Sequence, residues 1–328
     1  MTKPNPRLSV RAILAAAAIA AVFAVDAMAQ SPVERSVTQG RAKTVIDNLF
    51  RCTVKVSNHR IGGVGTITST DGKVWTVPAE TAYQKGPKAA DLFNECNKVT
   101  PKSAAQVSDA NVPIVEIDRD GQVVTGYIVA DNYFELYVNG KLVGVDAVPF
   151  TPFNSSIVKF RVKKPYTYAF KVVDWEEDLG LGTELGSRDG PFYQGDAGLI
   201  ARFSDGTVTD STWKVQSFYI APLKSPDQVV EKAGIRMTVG TGRVHPSAPK
   251  PGCTDRCYAV HYPLPKNWAA AKFDDSKWPH AFEYTDADVG VTTLFAYTRY
   301  PELFRGAHWI WSFNLVHDNV VIARKTVR

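Results

Sequence analysis

The chain has 328 residues, with 38 Lys plus Arg against 33 Asp plus Glu, a formal net charge of +5 and 11% aromatic residues. The positive charge is dispersed, without a Lys/Arg run, which argues against a nucleic-acid partner. The length allows one large β domain or two smaller ones, and the aromatic, Gly and Pro content favours short strands and turns over helices.

Residues 1–29 read as a leader. Lys3, Arg7 and Arg11 form a positive start, Ala12 to Val25 is a 14-residue apolar run, and Ala27-Met28-Ala29 supplies the small residues for cleavage before Gln30. A spanning helix needs roughly 20 residues, so length disfavours an uncleaved anchor. No Cys stands directly after the cleavage point, so a lipoprotein anchor is not indicated, and no later stretch is apolar enough to span a membrane. The mature chain is therefore expected to be soluble and exported, either secreted or periplasmic.

Four cysteines remain: Cys52, Cys96, Cys253 and Cys257. An even count in an exported chain favours disulfides. Three pairings are possible, and proximity points to Cys52–Cys96 and Cys253–Cys257. Zinc is the competing reading, but the nearest histidines, His245 and His261, lack a recognised ligand spacing.

In chain order, residues 30–50 are read as containing one helix, and Cys52 to Val56 as a strand. Asp71-Gly72 lies between two β-branched runs and predicts a hairpin. Gly62, Gly63 and Gly65 are no phosphate loop, because no Gly-Lys-Ser/Thr ending follows. Ala89 to Asn97 is read as a short helix and 101–112 as a linker, which makes 30–111 an N-terminal α/β extension or small subdomain. Ile114 to Ile117 then runs through Asp120-Gly121 into the next strand, a further hairpin pattern. Tyr133 to Val138 alternates aliphatic and amphipathic side chains and ends at Asn139-Gly140, a pair that tolerates both positive φ angles of a type I′ turn. Further strands are expected at Ile157 to Val162, Thr167 to Trp175, Gly198 to Phe203, Trp213 to Ile220, Tyr258 to Tyr262, Thr293 to Tyr297, Trp309 to Leu315 and Val320 to Ala323. Short strands at turn-bounded intervals define a mainly β chain, with a β-sandwich over residues 112–328.

Four motifs in that span carry a resemblance. They are Ala130-Asp131-Asn132-Tyr133 with Leu136 to Lys141, Thr209 to Lys214, Trp268 with Phe273 to Ala281, and Ala307 to Trp311. Together they resemble the galactose-binding-domain-like jelly rolls appended to rhamnosidases and other secreted glycoside hydrolases. The resemblance implies a jelly-roll sandwich and sugar binding, although no glycosidase domain is attached and 30–111 lies outside it. Asp131, Asn132, Asn139 and Asp274-Asp275-Ser276 are read as turn chemistry.

The acidic stretch Asp174-Trp175-Glu176-Glu177-Asp178, followed by Glu184, Asp189 and Asp196, is the candidate site. Asp174, Glu177, Asp178 and Glu184 offer hard oxygen ligands for Ca²⁺, with a solvated acidic loop as the alternative. Related sandwiches often hold a structural Ca²⁺. Trp175 is expected to be exposed as a sugar-stacking platform, with Glu176 beside it and Tyr133 and Tyr137 on the outer strand face. Trp213, Trp278, Trp309 and Trp311 are assigned to the core.

No His-Glu-x-x-His, Gly-x-Ser-x-Gly or paired-histidine motif occurs. The leading expectation is an exported, non-catalytic protein binding carbohydrate or a cell-surface glycan. The alternatives are a polysaccharide-active enzyme using carboxylates between Asp174 and Asp196, and a structural or interaction protein of the envelope.

Overall fold

The architecture follows from strands whose two faces are both buried, and whose pairing builds two large sheets. A computed structural model describes residues 1, 34–56, 59–185, 192–193, 196–244 and 255–328. The expected leader, apart from Met1, lies outside the described residues. Residues Glu34–Arg328 form one unit by contact.

The first sheet has seven strands, in the order Ser36–Gln39, Tyr258–His261, Lys214–Leu223, Asp318–Val327, Tyr166–Val173, Tyr133–Val138 and Lys141–Val145. The second runs Phe282–Tyr284, Trp309–Trp311, Gly198–Phe203, Gln122–Asp131, Ser155–Val162 and Ala90–Phe93, with Ile114–Glu116 added beside Ser155–Val162. Every pair within the two sheets is antiparallel except that last one. The chain is thus mainly β and sandwich-like, as its alternation and turn spacing predict.

Between the sheets lies the main core. Phe134, Leu136, Val138, Phe170 and Val172 of the first sheet are buried with Phe160, Phe203 and Ile128 of the second. Ring contacts cross the layer, with Tyr168 stacked on Phe203 at 4.2 Å and edge-on to Phe160 at 5.9 Å. Trp213, Trp309 and Trp311 are buried in this core, and Trp278 is half-buried against Phe218 and Phe273.

The opposite face of the first sheet is also covered. Tyr133, Val173, Ile220, Val260 and Ile322 pack with Val64, Ile67, Val77 and Tyr83. These partners come from the three-stranded sheet Lys43–Ile46, Val64–Thr68, Val74–Val77 and the turn after it. All eight residues of Tyr166–Val173 are consequently buried.

The two clearest turn signals hold. Asn139 and Gly140 have φ of 52° and 83°, and Val138 pairs with Lys141 across them. Thr68 pairs with Val74 around Asp71-Gly72. Several expectations are corrected. Ser36–Gln39 and Lys43–Ile46 are strands rather than a helix, because each finds a sheet edge to pair with. Ala90–Phe93 is likewise a strand, paired to Ser155–Val162. Residues 34–93 thus contribute strands and no α-helix among the described residues. Cys52 to Val56 is irregular, and Thr293 to Tyr297 gives way to a one-turn helix, Phe295–Thr298. Ile114–Glu116 does not form a hairpin with Gln122–Asp131; the two flank Ser155–Val162 instead.

Short polar side chains in the motifs serve turns and clamps. Asn139 Oδ1 accepts the Thr167 amide at 2.9 Å, and Asp274 Oδ1 accepts the Ser276 amide at 3.0 Å. Arg324, 1% exposed, donates Nε to Asp275 at 2.7 Å, Nη1 to the Trp268 carbonyl and Nη2 to the carbonyls of Ala270 and Phe273. A guanidinium so placed has its charge and its fork of donors matched, which is what permits it in a core.

Cys52 and Cys96 form a disulfide. Cys257 is disulfide-bonded, and Cys253 lies outside the described residues. No helix among the described residues is long and apolar enough to cross a membrane.

Candidate functional site

The acidic segment after strand Tyr166–Val173 is folded inward. Asp174, Glu176 and Asp178 are buried, and Glu177 is largely so. Glu177 and Asp178 donate their amides to the Thr183 carbonyl, both at 3.1 Å, and Thr183 Oγ1 donates to Asp178 Oδ2 at 3.0 Å. Arg41 Nε lies 3.0 Å from Asp178 Oδ1. Burial raises the Asp178 pKa, against the opposing pull of Arg41 and Thr183. Asp174, Glu176 and Asp178 border a void of only about 10 Å³ beside Tyr219, the size of a single water. Among the described residues no group of three or more His, Cys, Asp or Glu side chains is arranged to hold a metal. The side chain of Glu184, and all of Asp189, lie outside the described residues.

Trp175 is not exposed. Its ring is fully buried, edge-on to Tyr133 at 5.9 Å and 84°, and its amide donates to Asn132 Oδ1. The physical reason is the cover on this face, since residues from Val64, Ile67 and Tyr83 complete an apolar cluster there. The same cover changes the meaning of Tyr133 and Tyr137. Tyr133 is fully buried and Tyr137 half-buried, and both hydroxyls donate to Glu135, at 3.2 Å and 2.8 Å. Burial and the Glu135 charge raise both phenol pKa values. Trp175 and Tyr133 therefore present no ring face to solvent, and Glu176 is 4% exposed.

An open cleft of about 520 Å³ lies instead where the strands turn between layers. Asp131 and Asn132, at the corner from Gln122–Asp131 into Tyr133–Val138, form part of its floor. Their peptide bond is cis, and Asn132 Nδ2 donates to Asp131 Oδ1 at 2.6 Å. Glu95 comes from a tight turn in which Asn94 and Val99 exchange backbone bonds of 2.7 and 2.9 Å, with the neighbouring Cys96 tied to Cys52. Arg60 is held by its amide, which donates to Thr151 Oγ1 at 2.9 Å, and its Nε lies 3.9 Å from Glu177. Asp196 precedes strand Gly198–Phe203 and sits against Gly290, where a Cβ would fall 2.4 Å from Oδ2 and φ is +73°. Only glycine fits there without moving the carboxylate or straining the backbone.

Phe93, Phe153, Leu294 and Phe295 are among the residues of its apolar wall. Phe295 opens the one-turn helix Phe295–Thr298 and is 55% exposed, while the next residue, Ala296, is buried. The Arg299 guanidinium lies 4.1 Å from the Phe295 ring centroid and backs it. The cleft therefore combines a supported, solvent-facing ring with carboxylates and a guanidinium on fixed turns.

Of the acids in the candidate site read from the sequence, Asp196 reaches this cleft; Asp131, assigned to turn chemistry, also lines it, whereas Trp175, Tyr133, Tyr137 and Glu176 do not. Glu95, Arg60, Phe153 and Phe295 had no local signal, because each acquires its position from long-range pairing. Comparison with protein-family models, with curated proteins and with solved structures finds no match.

Proposed function

We propose that this is an exported, non-catalytic carbohydrate-binding protein of galactose-binding-like jelly-roll type, taking its ligand in the cleft between Asp131 and Phe295. The observation that carries the reading is the pairing, in one open cleft, of the exposed Phe295 ring with the carboxylates of Glu95, Asp131 and Asp196. Sugars present apolar C–H faces and a rim of hydroxyls. An aromatic platform takes the first, and carboxylate or guanidinium groups take the second by charge-assisted hydrogen bonds. The four sequence motifs support the jelly-roll assignment, and the leader pattern and the disulfide support export.

A glycan array followed by calorimetry on the strongest hit tests this. Binding that weakens on Phe295→Ala, with the fold retained, supports it; absence of binding to any glycan sinks it. The same array with and without EDTA tests the calcium expected of Asp174, Glu177, Asp178 and Glu184.

A further inference from the structure

A second open cleft, of about 320 Å³, lies where the three-stranded sheet covers the first sheet. Strand Val74–Val77 is the last of its sheet, and among the described residues no strand pairs with its outer edge. Across the cleft stand Tyr262 and Leu264, which continue from strand Tyr258–His261. Phe218, Tyr219 and Val320 are buried between the two walls. Val74, 68% exposed, and Leu264, 37% exposed, leave the rim apolar.

The aromatic part of this lining is fixed in place. Trp75 and Tyr219 both stack on the His261 imidazole, at 5.0 Å and 25° and at 4.8 Å and 23°. Trp75 Nε1 donates to Ser69 Oγ at 3.1 Å, and His261 Nε2 is hydrogen-bonded to Thr38 Oγ1 at 2.7 Å. Burial holds the His261 pKa down to about 3, so this imidazole is uncharged near neutral pH. Rings already ordered cost a ligand little to meet.

The charge of the cleft comes down to one group. Glu80 is exposed at its edge, and among the described residues no hydrogen bond or ion pair engages its carboxylate. Its backbone is anchored, because Lys171 donates to the Glu80 carbonyl and pairs with Glu135 at 2.9 Å. The other nearby cations are likewise matched. Arg236 lies over the Tyr262 and Phe218 rings at 3.6 and 5.1 Å, with its Nε 3.4 Å from Glu231 and its Nη1 on the Ser217 carbonyl. Arg35, beside the Tyr262 hydroxyl, donates to the Val229 and Pro226 carbonyls and lies 3.7 Å from Asp227. Lys73, next to Val74, pairs with Asp71 at 2.9 Å and Glu34 at 3.8 Å. Lys266, two residues beyond Leu264, is not part of the lining.

We propose that this cleft binds a small monocation with an apolar body, an arylalkyl or alkyl ammonium, whose charged head pairs with Glu80. Small-molecule sites are concave, mostly apolar and oriented by a few polar groups, and this volume falls within their range. An ammonium has donors and no acceptor, so a free carboxylate is its natural partner. Tyr262 and Phe218 already carry Arg236 on one face, so the hydrocarbon part of the ligand, not its charge, meets those rings. The site is separate from the Phe295 cleft and does not rest on the carbohydrate reading.

The test is calorimetry with three probes that share one body: 3-phenylpropylamine, 3-phenylpropanol and 3-phenylpropionate. The amine is expected to bind with a Kd of about 1 mM or tighter, the range open to a ligand of about ten non-hydrogen atoms. It should bind at least about tenfold tighter than the alcohol, lose affinity as salt rises, and leave the carboxylate without measurable binding. Glu80→Gln, at an exposed position and checked for an unchanged melting temperature, should bring the amine to within about threefold of the alcohol. Val74→Lys, on the rim, should weaken the amine while leaving the fold intact. Equal binding of amine and alcohol, tighter binding of the carboxylate, an amine affinity unmoved by Glu80→Gln, or no binding of any probe overturns the proposal.

Discussion

Lys171 Nζ lies 2.9 Å from Glu135 Oε1, with the two side chains 7% and 0% exposed, on adjacent strands of the first sheet. Glu135 also accepts the Ala82 amide at 2.6 Å, and Lys171 donates to the Glu80 carbonyl. The pair therefore fastens the segment around Glu80–Ala82 onto the sheet. With Tyr133 and Tyr137 donating as well, the carboxylate is matched on both oxygens. Breaking a buried pair by removing one partner leaves an uncompensated charge and costs about 3–5 kcal/mol. Lys171→Met should lower stability by that order in urea unfolding. A loss below about 1 kcal/mol would show that the pair does not hold this segment.

Trp175 and Phe295 should separate stability from binding. Trp175→Ala removes a fully buried ring and is expected to cost about 3–5 kcal/mol. Phe295→Ala, at an exposed position, should change stability by no more than about 0.5 kcal/mol. It should nevertheless weaken glycan binding about tenfold, or about 1.4 kcal/mol. Denaturation and calorimetry on the two variants read the contrast directly.

Two buried carboxylates make stability depend on pH near neutrality. Burial pushes Asp146 up to about 8, against hydrogen bonds from Asn154 and the Val148 amide, and Asp318 up to about 7, against those from Ser312 and the Asn314 amide. Both folded-state values lie above the unfolded value near 4, so their stabilising contribution is complete below about pH 4 and is lost as pH rises to about 8. His261 and His317 act in the opposite sense, being held down to about 3 and 4 by burial. Their contribution is present above about 6.5 and is lost as pH falls. Of these four groups only the aspartates act between about pH 6.5 and 8, and the melting temperature should decline there. Asp146→Asn, which mimics the neutral acid, should flatten that decline; an unchanged slope would contradict the assignment.

The Cys52–Cys96 bridge closes a long loop, with a sequence separation of 44. Chain-entropy arguments give such a bridge about 2–4 kcal/mol. The double variant Cys52→Ala/Cys96→Ala should lose about that much in chemical denaturation. Because Glu95 adjoins Cys96, it should also weaken glycan binding by more than its loss of folded protein accounts for.

Much of the sandwich was legible locally. Tyr133 to Gly140 declared a strand and its turn because alternation and an Asn-Gly pair are properties of adjacent residues. The motif tryptophans Trp213, Trp309 and Trp311 likewise fell in the core their patterns implied. The helices expected in residues 30–50 and 89–97 failed for a different reason. Short segments with scattered apolar residues have weak intrinsic preference, and an available sheet edge decides their conformation.

The candidate site was legible only in fragments. Asp131 and Asp196 stand out in the sequence as acids near turns, but nothing adjacent marks Glu95, Arg60 or Phe295 as their neighbours. Trp175 misled because a tryptophan beside four acids reads as a loop platform, whereas the segment tucks under the cover supplied by Val64, Ile67 and Tyr83.

The sequence by itself determined the β architecture, the hairpin at Asn139-Gly140 and the tryptophans that fill the core, since period-two alternation and turn chemistry act over a few residues. Only the tertiary structure decided which aromatic rings face solvent and which acids converge. Burial depends on what lies across the sheet, and that partner, the segment from Val64 to Tyr83, is distant in the chain.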